Sequence, residues 1–184
     1  MRNNRIERLA LTALCVALTA VSARVSVPLP GTMMVFTAQV CVVLCSGLLL
    51  GPRYGALSQL LYLLAGLAGL PVFALGGGLS YALHPTFGYL LGFPAAAWLC
   101  GRAAGRVPHP SFARLLRAAL LGVAAMYLVA LPAAQIQARL IARDLPALGA
   151  FLWTYCAIYL PLDAAKALLA AALCRRVLKR LSAR

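Results

Sequence analysis

The sequence predicts an all-α integral membrane protein, a single domain of six transmembrane helices with both termini on the inner side. Three observations predict it. Hydrophobic residues make up 64% of the 184-residue chain and charged residues 11%, against about 45–50% and about 25% in soluble globular proteins. The apolar residues form continuous runs rich in Leu and Ala, long enough for spans of roughly 20 residues and lacking the roughly ten-residue alternation of a membrane β-barrel. The 17 Lys/Arg, set against only three acids (Glu7, Asp144 and Asp163), sit at the ends of those runs. A basic excess also suits nucleic acid, but these residues neither share one face nor interleave with aromatics. Their placement follows the positive-inside rule, so no nucleic-acid partner is expected.

Span one is expected at residues 8–23. Its basic start and small residues Val21, Ser22 and Ala23 resemble a signal peptide, but hydrophobic spans continue along the chain, and a retained first helix is expected. Residues 25–33 hold Pro28, Pro30 and Gly31 and are predicted as a loop that resists helix. Span two is expected at 35–50, a tight turn at Gly51-Pro52-Arg53, and span three at 54–70. The loop that follows carries three consecutive glycines, Gly76, Gly77 and Gly78, either a hinge or the lining of a cavity. Span four is expected at 86–104. A basic stretch with Pro108 and Pro110 leads to span five at 115–137, where Pro132 is expected to kink the helix. A polar loop at 139–146 precedes span six at 148–174, and a basic tail follows.

Counting charges orients the bundle. With both termini inside, thirteen Lys/Arg lie on the inner side and three, Arg24, Arg139 and Arg143, on the outer, Lys166 being the seventeenth. Small residues recur four apart at Ala13/Ala17, Gly47/Gly51, Gly88/Gly92 and Ala167/Ala171, a spacing that lets helices approach closely. The six cysteines form no C-x-x-C and have no nearby histidine to complete a metal site, so they read as packing residues.

Ionisable groups inside a span cost roughly 2.5–3.5 kcal/mol each, yet span six holds Asp163 and Lys166 three residues apart, on one helix face. Such a pair either neutralises itself and fixes helix packing or holds a polar ligand; the expense favours the ligand. A carboxylate accepts from N–H donors and an ammonium donates to an oxygen, which suits an amide-like group. Aromatic candidates beside it are Trp153, Tyr155 and Tyr159 on the same helix and Phe36, Phe73, Tyr81 and Tyr89 elsewhere. There is no phosphate-binding G-x-x-x-x-G-K-[ST], no G-x-S-x-G and no H-E-x-x-H, and His84 and His109 stand alone. No enzyme is expected, but a transport subunit driven by a partner or a gradient.

Read in order, several segments resemble one family. They are Phe36-Thr37-Ala38-Gln39 after a proline-rich loop, Gly51-Pro52-Arg53-Tyr54-Gly55-Ala56, and the stretch from Tyr62 through Gly66 and Gly69 to Pro71-Val72-Phe73 and the triple glycine. Pro85-Thr86-Phe87-Gly88-Tyr89 and Pro161-Leu162-Asp163-Ala164-Ala165-Lys166 complete the set. They are similar to the BioY family, biotin-binding S-components of energy-coupling factor (ECF) vitamin transporters. The resemblance implies a plasma-membrane (cell inner membrane), multi-pass subunit among lipids, with no cofactor, that binds biotin as its transported ligand in an outward-facing pocket. It implies that Asp163 and Lys166 contact the vitamin; Asp163 is then expected to take the ureido N–H groups and Lys166 a ureido or carboxylate oxygen, with Gln39, Phe36, Phe73, Gly77, Tyr81, Tyr89 and Tyr159 as further candidate ligand contacts. ATPase subunits would act through a transmembrane coupling protein that meets Ala13 and Ala17. The chain departs from the family pattern at Met34-Val35, His84 and Phe87. An S-component for another vitamin, a stand-alone carrier, an intramembrane enzyme using Asp163 and a purely structural subunit are the competing readings.

Overall fold

A single glycine sets the path of the bundle's central helix. In the computed structural model, which describes residues 4–28, 35–84, 86–105, 107, 109–142, 149, 151, 153–157 and 159–182, helix α2 runs Gln39–Leu67 but breaks at Gly51, whose φ is 79° and ψ −178°. A side chain there would be strained, and Pro52 has no N–H to offer the turn before it. The chain reverses. A Cβ on Gly55 would lie 2.8 Å from the Gly47 Cα, and Gln59 Nε2 donates to the Ser46 hydroxyl at 3.1 Å. In one straight helix residues eight apart would be about 12 Å apart, so the two arms of α2 form an antiparallel hairpin at the Gly-Pro-Arg turn that the sequence predicts.

The other elements are α1 (Asn4–Arg24), strands β1 (Ser26–Pro28) and β2 (Val35–Thr37), a 3-10 turn (Leu79–Leu83), α3 (Phe87–Ala104), α4 (Phe112–Ala142), a π-helical turn (Trp153–Ala157) and α5 (Tyr159–Ser182). Helix α3 packs between α2 and α4, α1 lies along α2, and α5 closes the bundle against α2 and α4. The contacts are close because glycines stand at them. A Cβ on Gly101 would come within 2.7 Å of Pro52 N, and on Gly92 within 2.7 Å of the Met126 carbonyl. On α5, Asp163, Ala167, Ala170, Ala171 and Cys174 face inward at helical spacing. Outward-facing leucines such as Leu14, Leu18, Leu128, Leu168 and Leu169 remain exposed, as they would against lipid. Gln59, fully buried, is paired with Ser46, Ser58 and Thr19. Among the described residues, helices at Arg5–Arg24, Gln39–Leu67 and Phe112–Arg139 are long and apolar enough to cross a membrane.

The two ends differ. Arg8, stacked over the Tyr54 ring at 5.6 Å, Arg53 and Arg102 line a crevice with Gly51 at one end, and Leu178 of α5 joins Arg8 there. At the other end Arg24 donates to the Pro71 carbonyl at 2.6 Å, and Gln137 of α4 holds the 3-10 turn through the Ala82 carbonyl at 2.6 Å.

Four boundaries depart from the sequence reading. Residues 35–37 are not the start of span two; they pair antiparallel with β1, Val27 opposite Phe36. Span three stops at Leu67, because Gly69 takes a φ of +102°. Helix α4 begins three residues before span five and runs beyond it to Ala142, carrying Pro132 within it. Span six is not one α-helix from 148: the π-helical turn precedes Tyr159, and α5 then continues through the basic tail to Ser182. Residues 29–34 of the proline-rich loop and 143–146 of the polar loop lie outside the described residues.

Candidate ligand-binding site

Pro161 falls in the first turn of α5, where a missing N–H breaks no helical bond. The next turn carries Asp163 and Lys166. Lys166 Nζ donates to Asp163 Oδ1 at 2.8 Å, and from α4 the Tyr127 hydroxyl donates to Asp163 Oδ2 at 2.8 Å. The carboxyl group, 4% exposed, is thus gripped at both oxygens. Lys166 also lies 4.1 Å from the centre of the Phe36 ring, which the β1–β2 ribbon carries over it. An ammonium over an aromatic face gains electrostatically while its remaining N–H donors stay directed elsewhere.

The pair forms one wall of a cavity of about 60 Å³. The ribbon supplies Phe36 and Thr37, α2 Gln39 and Val40, the glycine loop Ala74, the 3-10 turn Tyr81, α3 Tyr89, Leu90 and Phe93, and α5 Tyr159; Thr86 completes the rim. The structure therefore brings together Asp163, Lys166, Gln39, Phe36, Tyr81, Tyr89 and Tyr159. Phe73 and Gly77 stand one layer back. Phe73 is fully buried between Tyr62, at 5.5 Å between ring centres, and Tyr81, at 4.7 Å. Gly77 lies against the Leu70 carbonyl, with no room for a Cβ. Trp153 is exposed, and the Tyr155 side chain lies outside the description. Ala13 and Ala17 face outward on α1, away from the cavity.

Two hydrogen-bonded chains stiffen the rim. Gln39 Nε2 donates to Tyr62 Oη at 2.6 Å, and Tyr62 in turn donates to the Val72 carbonyl at 3.0 Å, which ties the cavity wall to the glycine loop. Thr86 Oγ1 lies 3.2 Å from the Tyr81 hydroxyl and 2.8 Å from His84 Nδ1. The Thr86 backbone N–H also points at Nδ1, at 3.3 Å, so that nitrogen is the acceptor. Burial pushes the His84 pKa below the ordinary histidine value, in keeping with a neutral ring stacked on Tyr81 at 5.2 Å.

The arrangement offers acceptors on Asp163, donors on Lys166 and a box of aromatic faces, which recognises a small planar group carrying both N–H and C=O. Sequence reasoning missed Tyr127, Tyr62 and Thr86. For Tyr127 one signal was present: a hydroxyl in the middle of an apolar span needs a partner.

The BioY family profile matches residues 1–183. A protein of Lysinibacillus sphaericus described as "Probable biotin transporter BioY" is 46% identical over 124 residues, 67% of this chain and 62% of that one. The "Biotin transporter BioY" of Thermotoga maritima is 40% identical over 112 residues, 60% of this chain and 64% of that one. The matched stretches thus span somewhat less than two thirds of these relatives. A crystal structure described as the S-component for biotin from an ECF-type ABC transporter superposes with a TM-score of 0.79 over 97% of this chain and 94% of that one, at 24% identity; at that identity the likeness is one of fold. The motifs, the all-helical S-component fold and the near full-length match agree, and the chain belongs to the BioY family.

Proposed function

We propose that this chain is a biotin-binding membrane subunit that mediates biotin uptake and is energised by separate ATPase and coupling subunits. The observation that carries the reading is the Asp163–Lys166 pair, closed within 2.8 Å and set in an aromatic cavity. The ureido ring of biotin is planar, with N–H groups flanking a carbonyl, and matches the carboxylate and ammonium in turn. The names of the curated relatives support this ligand, and the absence from the sequence of any phosphate-binding loop fits a subunit without ATPase activity or catalysis of its own.

The same reading has six spans: α1, the two arms of α2, α3, α4 and α5. It sets both termini inside, supported by the gathering of Arg8, Arg53 and Arg102 at the end where Leu178 also lies. Ala13 and Ala17, exposed on α1, are the surface offered to a transmembrane coupling protein. The chain then resides in the plasma membrane.

Purified chain in lipid nanodiscs, titrated with biotin and with a panel of other labelled vitamins, tests the ligand. Tight saturable binding of biotin alone is expected, strongly weakened but still measurable in Asp163→Asn and in Lys166→Ala. Binding of a different vitamin would reassign the ligand, and unchanged affinity in both variants would remove the pair from the site. Ligand recovered chemically altered would favour an enzyme.

A further inference from the structure

We infer that Tyr127 is a positioning residue for the ligand: it fixes the plane of the Asp163 carboxylate so that its two remaining lone pairs face the cavity. This rests on the reading of Asp163 as a ligand contact.

Tyr127 sits in α4, 6% exposed, and is not part of the cavity wall. Its ring stands edge-on to Tyr89, 5.6 Å between centres and 88° between planes, and Tyr89 is the residue that the ligand side sees. Tyr127 therefore reaches the site from behind, through one atom pair, its hydroxyl to Asp163 Oδ2 at 2.8 Å.

Rotation about the last bond of an aspartate is soft, with broad rather than staggered minima. Lys166, on the same helix and bound to Oδ1 alone, leaves the carboxylate free to swing about that contact. A second donor on the other oxygen, from a different helix, removes the freedom. A carboxylate has about four acceptor positions; Lys166 and Tyr127 take one on each oxygen and leave one on each. A ligand with two N–H groups then meets an acceptor pair already oriented, and less ordering cost is charged against its binding.

A packing role alone does not account for the hydroxyl. Neighbouring positions on α4 are Met126 and Leu128, and a phenylalanine would fill the same space without placing an O–H at membrane depth, which is unfavourable unless bonded. Asp163 shares the cavity with Lys166 and Tyr159 on α5, Tyr89 on α3 and Tyr81 on the 3-10 turn, and Tyr127 on α4 meets it from outside the cavity. Of these, Tyr127 and Lys166 hydrogen-bond to its carboxylate.

The test is a double-variant cycle on the full chain in nanodiscs: wild type, Tyr127→Phe, Asp163→Asn and the double variant, each titrated with biotin. Tyr127→Phe is expected to weaken binding about tenfold or more, the effect of losing a hydrogen bond to a charged group. In the Asp163→Asn background the same change is expected to add little, because its effect passes through that carboxylate. Equal losses in both backgrounds, or unchanged affinity in Tyr127→Phe, would overturn the proposal. A second readout needs no ligand. The chain has only three acidic side chains, so the infrared carboxylate band of Asp163 can be assigned by difference against Asp163→Asn. Tyr127→Phe is expected to shift that band, and an unmoved band overturns the proposal. If the intact chain binds no biotin, the ligand reading fails by itself and the infrared result still decides whether Tyr127 orients Asp163.

Discussion

Removing Lys166 alone is expected to cost far more stability than replacing the whole ion pair. In Lys166→Ala the buried Asp163 keeps only Tyr127, and breaking a buried pair typically costs about 3–5 kcal/mol; thermal unfolding in detergent should show the loss. Asp163→Leu combined with Lys166→Met replaces the pair by apolar groups of like size and is expected to regain most of that stability while binding no biotin. Recovered melting with recovered binding would contradict the site. A second residue-scale expectation concerns His84. Burial holds its pKa below the ordinary value in the closed loop, so as pH falls from about 6.5 the opened loop takes up a proton before the closed one does, and acidification favours opening. Hydrogen-exchange protection at residues 79–84, after correction for the pH dependence of intrinsic exchange, is expected to fall on acidification in the wild type and much less so in His84→Gln. At this scale the charged pair was legible, because two charges in an apolar run stand out against their neighbours. Tyr127, 36 residues away from Asp163 along the chain, was not; no local spacing encodes that contact.

Among the elements, the glycine loop shows why a visible motif is not yet an explained one. Gly76 and Gly78 hold φ of 124° and 98°, which side chains resist, and Gly77 is pressed on the Leu70 carbonyl. The Gly78 N–H caps the end of α2 through the Gly66 carbonyl at 2.7 Å. The run of three is thus a docking piece on a helix end, which positions Phe73 and, through it, Tyr81. Gly66 belongs to the same joint, since the Phe73 ring occupies the space its side chain would need. Gly66→Ala is expected to displace Phe73 at a cost of about 1–3 kcal/mol from overpacking and to weaken ligand binding as Tyr81 shifts. Unchanged melting and unchanged affinity together would show that the joint has slack. The hairpin at Gly51 could be read in advance from its Gly-Pro pair. The β1–β2 ribbon and the π-helical turn could not, because three-residue strands and a single wide turn depend on what packs against them rather than on their own composition.

For the whole molecule, hydropathy made the solvent legible and the loop charges suggested the orientation; the way the helices close on a cavity at one end required the pairing of distant residues. The orientation has a direct check. A fluorescent protein fused after residue 184 is expected to fold and fluoresce in the cytoplasm, and an alkaline phosphatase at the same point to stay inactive; the reverse pattern would invert the bundle. The closed geometry of the ion pair also bears on energetics that no contact reveals. A lone elementary charge carried through the membrane field is worth about 2.3 kcal/mol per 100 mV. Asp163 and Lys166, of opposite sign and 2.8 Å apart, travel together in any tilting of the bundle and do almost no electrical work. The pair itself thus moves no net charge; in vesicles clamped at different potentials, a change in biotin affinity is expected to come from the anionic carboxylate of biotin alone, and a neutral biotin amide should bind with flat affinity.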